Sequence, residues 1–422
     1  MENHQYLLSI DNGTQSVRAM IFNSQGQLLA KSKIDIEPYF SSQNGWAEQY
    51  ADYFWEKLCL ACQTLWRENS IDKQAIAAVS VTTQRATVVT MGKNHQPLRP
   101  AISWLDQRQV DSKPVLGVFE SALMALVRAK PLVDLMHQQS EANWLEQNEP
   151  ELWKQVSKFL LLSGYHNYKL TGEYKDSIAS TVGFVPFDYK TQQWAEKNDW
   201  KWRAIPITRD MLPEVLPAGS KLGKITATAA IETGIPEGLT LIASGSDKAC
   251  EVLGTGCTDS HTGSLSYGSL ATINIASDKY LEAIPFYPAY PGVVPGTFNV
   301  EMMVQRGYWM VSWFKQEFGL HETQKSTEQK VSPESLFDQL LAEVPAGSDG
   351  LMLQPYWSPS NGDGPETRGA IIGFTESHTR AHLYRAMIEG LTYALRESKE
   401  LLEKRSGKSI TRLVVSGGGS QS

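Results

Sequence analysis

Three polar stretches of the chain hold side chains able to manage a phosphoryl group and its acceptor. The first, Ser9-Ile10-Asp11-Asn12-Gly13-Thr14-Gln15-Ser16, combines one carboxylate, one glycine and several hydroxyls, and Arg18 follows. Gly13 permits a tight turn that brings backbone N–H groups toward an anion. Thr14 and Ser16 can donate to phosphate oxygens, whereas Asp11, an acceptor only, suits a Mg²⁺ shell. Asn-Gly is also the signal of a plain β-hairpin turn, and the loop alone leaves both readings open. The second stretch, Ser244-Gly245-Ser246-Asp247, sets a lone carboxylate at a strand-to-helix junction. Such a residue either caps the helix or is held toward a cleft. The third set is Thr82-Thr83-Gln84-Arg85 with Trp104-Leu105-Asp106-Gln107-Arg108. Arg85, Asp106 and Arg108 can hydrogen-bond hydroxyls and Trp104 offers a flat apolar face, which suits a polyol. A surface salt-bridge cluster around a half-buried tryptophan is the competing explanation.

These groups need elements to position them. Tyr6–Leu8 and Val17–Phe22 are short apolar runs bounded by turn residues, and Gln27–Ile36 follows another turn, so three successive antiparallel strands are expected. Ala51–Trp66 is expected to be helical, with Tyr50, Phe54, Leu58, Cys62 and Leu65 on one face. Ile76–Val81 reads as a buried strand that delivers Thr82–Arg85 to its carboxyl end. Pro114–Asn148 is expected to be mostly helical, and Lys158–Thr171 to be a helix stopped by Gly172. Leu239–Ala243 is a strand and Lys248–Leu253 a helix. Gly254-Thr255-Gly256 then leads into a second domain. That domain opens on Gly263–Ser269 and the strand Leu270–Ile275, repeating the first: a turn rich in glycine and hydroxyls between apolar strands. Arg380–Lys404 is the clearest helix, and Gly390 inside it predicts close approach of another backbone. Leu413–Ser416 reads as a strand that runs into Gly417-Gly418-Gly419. Such a loop normally opens a helix and admits a flat or anionic ligand, and a terminal Gly/Ser tail is otherwise disordered.

A chain of 422 residues is too long for one ordinary core. Its net charge of −7 argues against a nucleic-acid partner but leaves room for ATP. No apolar run reaches the span of a bilayer and no leader pattern opens the chain, so a cytosolic protein with no membrane partner is expected. Cys59 and Cys62 sit in a helical segment and are expected to be buried free thiols rather than a metal or redox pair. His378 and His382 lack the glutamate of a zinc-protease motif, so surface or capping roles are expected.

Taken together in this order, the motifs resemble the FGGY carbohydrate kinases of the actin-like ATPase superfamily. The resemblance covers the whole chain. It extends to Gly369–Phe374, His382-Leu383 and Glu389, which are similar to the family's C-terminal signature. It implies an α/β protein with two ribonuclease-H-like domains, residues 1–254 and 255–422, holding ATP, Mg²⁺ and a small sugar or polyol in the cleft between them. Asp247 matches the general base, which also contacts substrate, and Asp11 the residue near the metal. Gly13, Thr14, Gln15, Ser16 and Arg18 match the first phosphate loop, Gly268 and Ser269 the second, and Gly417, Gly418 and Gly419 the adenosine loop. Arg85, Trp104 and Asp106 fall where the family contacts substrate. The implied chemistry is in-line phosphoryl transfer. The resemblance leaves a homodimer open.

Two departures qualify it. Ala86 stands where glycerol kinases carry a glutamate after the matched arginine, which removes one acceptor for substrate hydroxyls. The xylulokinase Gly-Gln-Met-His-Gly pattern is also missing from Thr82–Thr87. A ketopentose such as xylulose or ribulose is the expected substrate, with glycerol or another polyol as the alternative. Family members continue beyond the triple-glycine loop, so the second domain is expected to be truncated. A sugar- or nucleotide-binding module without turnover and an actin-like structural or chaperone ATPase are the readings from other classes.

Overall fold

Alternating burial builds the first sheet. In the computed structural model, which describes residues 5–111, 117, 126, 130–268, 270–357 and 367–421, β1 (Tyr6–Asn12) buries Leu8 and Ile10. β2 (Ser16–Asn23) buries Val17, Ala19 and Ile21. β3 (Leu28–Asp35) completes an antiparallel meander with them. Helix α1 (Ala51–Glu68) packs on β2 and β3. It does so through Phe54, Leu58, Cys62 and Leu65, all fully buried, whereas Tyr50, expected on the same face, precedes the helix and is exposed; each large buried side chain contributes about 1.5–3 kcal/mol. Next comes β4 (Ile76–Thr83), parallel to β1, followed by β5 (Val88–Met91).

Lys158–Thr171, expected to be one helix, divides. Lys158–Leu161 forms β6, because it pairs antiparallel with β5, and only Leu162–Thr171 is helical (α2). Gly172 then stops α2 at φ 76°. Backbone pairing overrides the local helical pattern here. After α2 come β7 (Lys175–Ser177), β8 (Lys221–Lys224) and β9 (Thr240–Ile242). The six-stranded sheet has the order β8–β9–β4–β1–β2–β3, with β9, β4 and β1 mutually parallel. Within 114–148, residues 130–139 and 141–148 are helical. Residues 117, 126 and 140 are also described, and the rest of that stretch lies outside the described residues.

Helix α3 (Asp247–Gly254) precedes the second sheet. That sheet holds β10 (Thr262–Tyr267), β11 (Ala271–Ser277) and β12 (Phe298–Val304), again an antiparallel meander. Helix α4 (Trp309–Phe318) follows, then α5 (Arg380–Ser406), then β13 (Arg412–Ser416), which is parallel to β10. The order β12–β11–β10–β13 repeats β3–β2–β1–β4, so the echo seen in the sequence is a repeated topology. Gly390 sits where α5 crosses Leu353, and a Cβ there would lie 2.2 Å from the Leu353 carbonyl oxygen.

The chain divides into two units. One is Met1–Cys250 with Tyr290–Gly296 and the other is Glu251–Ala289 with Thr297–Ser422. This division falls inside α3, and a short segment returns to the first unit. Each unit has its own apolar core. Cys59 and Cys62 are buried and free. His378 and His382 accept backbone N–H groups of Thr375 and Thr379, the latter closing the N-terminus of α5. Among the described residues no helix is long and apolar enough to cross a membrane.

Candidate active site

In the first unit, three adjacent parallel strands end at one edge of the sheet. β1 ends in Asp11 and Asn12, β4 runs on into Gln84 and Arg85, and β9 into Ser244–Asp247. Side chains and backbone tie these ends together. The Gln84 N–H donates to the Asn12 carbonyl at 3.0 Å. Thr82 Oγ1 donates to the Gly245 carbonyl at 2.7 Å, and Ser244 Oγ to the Val81 carbonyl at 2.7 Å. This is the edge where open α/β sheets place ligands.

Asp247 is the first residue of α3, and it is not the cap. Ser246 does that work, its Oγ accepting the Ala249 N–H at 3.3 Å. Asp247 Oδ1 accepts the Lys248 N–H at 2.7 Å. Burial pushes the Asp247 carboxyl above the ordinary aspartate range, against the pull of Arg85, and the charge of Asp11 adds to the push. Asp11 and Arg18 are cross-strand partners in register, Arg18 Nη1 donating to Asp11 Oδ2 at 2.6 Å. Burial raises Asp11 as well, and Arg18 opposes it. The Arg85 guanidinium lies 5.5 Å from the ring of Tyr290, on the returning segment, which meets Tyr189 edge-on at 5.4 Å. No pattern in the sequence announced Tyr290. It reaches this edge only because Tyr290–Gly296 folds back onto the first unit.

The loop between β1 and β2 is a hairpin, with the Gly13 N–H donating to the Ser16 carbonyl at 3.1 Å. Gly13 is not left-handed, and a Cβ there would meet nothing nearer than 3.7 Å. The turn therefore does not demand glycine. Thr14 accepts the Trp104 indole N–H at 3.1 Å, and Trp104 is 37% exposed. Asp106, expected to contact substrate, is engaged elsewhere. Its oxygens accept from the Ala47 N–H and from Arg108 Nε, Nη2 and N–H, at 2.7–2.9 Å. Arg108 in turn lies 4.0 Å from the ring of Trp46 and 4.5 Å from that of Trp144. Asp106 and Arg108 are thus a buried brace against Ala47, Trp46 and Trp144, and a carboxylate spent on four donors has little left for a sugar. Ala86 adopts φ 51°, a left-handed conformation uncommon for alanine. The amide of Gln84 is buried with no hydrogen-bond partner for either Nε2 or Oε1 among the described residues.

In the second unit, β10 and β13 end side by side, with Ser266 opposite Ser416. This brings the Gly268 turn and the Gly417–Gly419 loop to one place. Gly268 accepts the Tyr308 N–H at 3.1 Å. Gly417, at φ 86°, and Gly419 both press on Tyr267, whose ring stacks on Tyr308 at 4.5 Å. A Cβ on Gly418 would meet nothing within 4 Å. Ser269 lies outside the described residues. Residues Gly418–Gln421 form a single 3₁₀ turn.

Among the described residues no group of three or more His, Cys, Asp or Glu side chains is gathered to hold a metal ion. Asp11 and Asp247 are the two carboxylates at the strand edge. One or two carboxylates completed by phosphate oxygens and water is the usual shell of Mg²⁺, so this donor set fits that ion.

Residues 6–254 match the model described as "FGGY family of carbohydrate kinases, N-terminal domain", and residues 263–422 match its C-terminal domain. The chain is 28% identical over 420 residues to an Escherichia coli K12 protein described as "Uncharacterized sugar kinase YgcE", covering 99% of this chain and 77% of the relative. It is 27% identical to a xylulose kinase of Lactococcus lactis, covering 99% and 80%. It is 26% identical to a glycerol kinase of Deinococcus radiodurans, covering 100% and 82%. Among solved structures, the ligand-bound xylulose kinase of Lactobacillus acidophilus superposes with a TM-score of 0.81 at 19% identity, covering 99% of this chain and 82% of that one.

Proposed function

Because the chain belongs to the FGGY family of carbohydrate kinases and is therefore an ATP-dependent kinase of a sugar or polyol, we propose that its acceptor is a ketopentose such as xylulose or ribulose and that Asp247 is the base. The observation that carries this reading is the state of Asp247. It is a half-buried carboxylate, raised by burial, set on the first turn of a helix beside Arg85 and excused from capping by Ser246.

Asp247 Oδ1 is steadied by the Lys248 N–H, which leaves Oδ2 to take the proton of the attacking hydroxyl. The raised pKa makes it a better proton acceptor than an ordinary aspartate. The sugar O–H bond breaks and its oxygen bonds to the γ-phosphorus. The bond from that phosphorus to the β,γ-bridging oxygen breaks, and ADP leaves. Gly13, Thr14, Gln15 and Ser16 are the proposed γ-phosphate contacts, with Arg18 holding Asp11. Gly268, Ser269 and Gly417–Gly419 are the proposed nucleotide contacts of the second unit. A Mg²⁺ ion, held through Asp11, would neutralise phosphate charge. Arg85 and Trp104 would bind the sugar, its C–H face against the indole and its hydroxyls on the guanidinium.

A coupled ADP-release assay over ketopentoses, glycerol and gluconate tests the reading. Turnover with a ketopentose, abolished in Asp247→Asn with sugar binding retained, is the expected result. ADP release only with glycerol or gluconate would move the substrate, and an active Asp247→Asn would remove the base.

A further inference from the structure

A second aspartate lies behind the turn that presents Asp247. Asp176, in β7, is buried. Its Oδ2 accepts the Ser163 hydroxyl at 2.6 Å, and its Oδ1 accepts the Asn167 amide at 3.1 Å and the Ser177 N–H at 2.7 Å. Ser163 and Asn167 belong to α2, so the carboxylate joins the first turns of α2 to the end of β7. Gly164 leaves room for it, since a methyl there would lie 3.3 Å from Oδ2. The groups facing it are hydroxyl, amide and backbone N–H donors.

From Asp176 the bonds lead directly to the catalytic turn. Ser177 Oγ caps the short 3₁₀ helix Ile178–Ser180 by accepting the Ala179 N–H, and it donates to the Ser244 carbonyl. The Ser246 N–H donates to the Ala179 carbonyl at 3.0 Å. A Cβ on Gly245 would lie 3.2 Å from that of Ala179, so the turn sits flat against the same segment. Ser244 and Ser246, the residues that flank Gly245 and precede Asp247, therefore both hang on the segment that Asp176 anchors.

We propose that Asp176 is a positioning residue for phosphoryl transfer, fixing through Ser177 and Ala179 the turn that aims the Asp247 carboxylate. The proposal rests on the reading of Asp247 as the base. Burial pushes Asp176 up to about 7 against the pull of the donors around it, so a polar group is kept in the interior at a cost. Retaining it against that cost is expected where the geometry of the turn matters.

The test compares wild type, Asp176→Ala, Asp176→Asn and Ser177→Ala by kinetics and by amide hydrogen exchange of residues 244–250. Asp176→Ala is expected to lower kcat about tenfold or more with KM for both substrates little changed, as loss of alignment does. Exchange at 244–250 should rise about tenfold. Asp176→Asn keeps an acceptor for the Ser177 N–H and should restore most of both. Ser177→Ala, which leaves the buried carboxylate in place, should show the same signature and decides the matter if Asp176→Ala does not fold. Unchanged exchange at 244–250, or a wild-type kcat in a folded Asp176→Ala, overturns the proposal. A wild-type protein that releases no ADP with any sugar sinks the kinase reading instead, and the exchange measurement still decides whether Asp176 holds the turn.

Discussion

The indole N–H of Trp104 donates to the hydroxyl of Thr14 at 3.1 Å, across 90 residues of sequence. The side chain proposed to carry the sugar's apolar face is thus fastened to the loop proposed to carry the γ-phosphate. The two sites should be coupled through this bond. Trp104→Phe and Thr14→Val are each expected to raise KM for sugar and for ATP several-fold. The double variant should lose less than the product of the two, with a coupling of about 1 kcal/mol. Strictly multiplicative effects in a double-mutant cycle would show that the bond transmits nothing.

Asp247 sets a pH dependence of defined sign. Its folded pKa lies above the ordinary 3.8 because burial disfavours the charge. The folded state then binds the proton more tightly than the unfolded state, so stability from this group falls as pH rises from about 4 through the folded value. Asp247→Asn removes that slope. Its urea midpoint should gain on wild type between pH 4 and pH 7, while turnover is lost. In wild type the acid limb of kcat should lie above the range of an exposed aspartate. A variant that loses ground to wild type over the same interval would contradict the assignment.

Much of this was legible where chemistry and periodicity coincide. The hairpin at Asp11–Ser16, the strand ending at Thr83, the junction at Asp247 and the repeated opening of the second unit follow from local patterns of apolar and turn residues. Three features were not local. Lys158–Leu161 looks helical by composition and is a strand because β5 offers it a partner. Asp106, placed at the substrate by the resemblance, is instead held by Ala47 and Arg108. Tyr290 and Asp176 acquire their places only when distant segments return to the strand edge, and no spacing rule reports that.

Gly13 offers a separation of folding from binding. Its backbone is not left-handed and a methyl would find nothing nearer than 3.7 Å. Gly13→Ala should therefore change stability by less than about 0.5 kcal/mol. If the missing side chain instead admits a phosphate to the backbone, KM for ATP should rise about tenfold or more. A variant with an unchanged KM would mean that the γ-phosphate does not approach this part of the loop.

Gly390 shows the opposite case. In a helix interior, alanine is favoured over glycine by about 1 kcal/mol, so propensity alone predicts that Gly390→Ala stabilises α5. The structure places Leu353 against it. The added Cβ would lie 2.2 Å from the Leu353 carbonyl oxygen, a backbone atom that cannot swing aside. α5 must then move off the strand Met352–Gln354, at a cost of roughly 2–4 kcal/mol. The close approach wins over propensity by about 1–3 kcal/mol, which lowers Tm by several degrees in a unit of this size. Calorimetry on the single substitution decides between them: a Tm at or above wild type would mean that the two backbones are not in contact, and the crossing that seats α5 on its sheet would have to be redrawn.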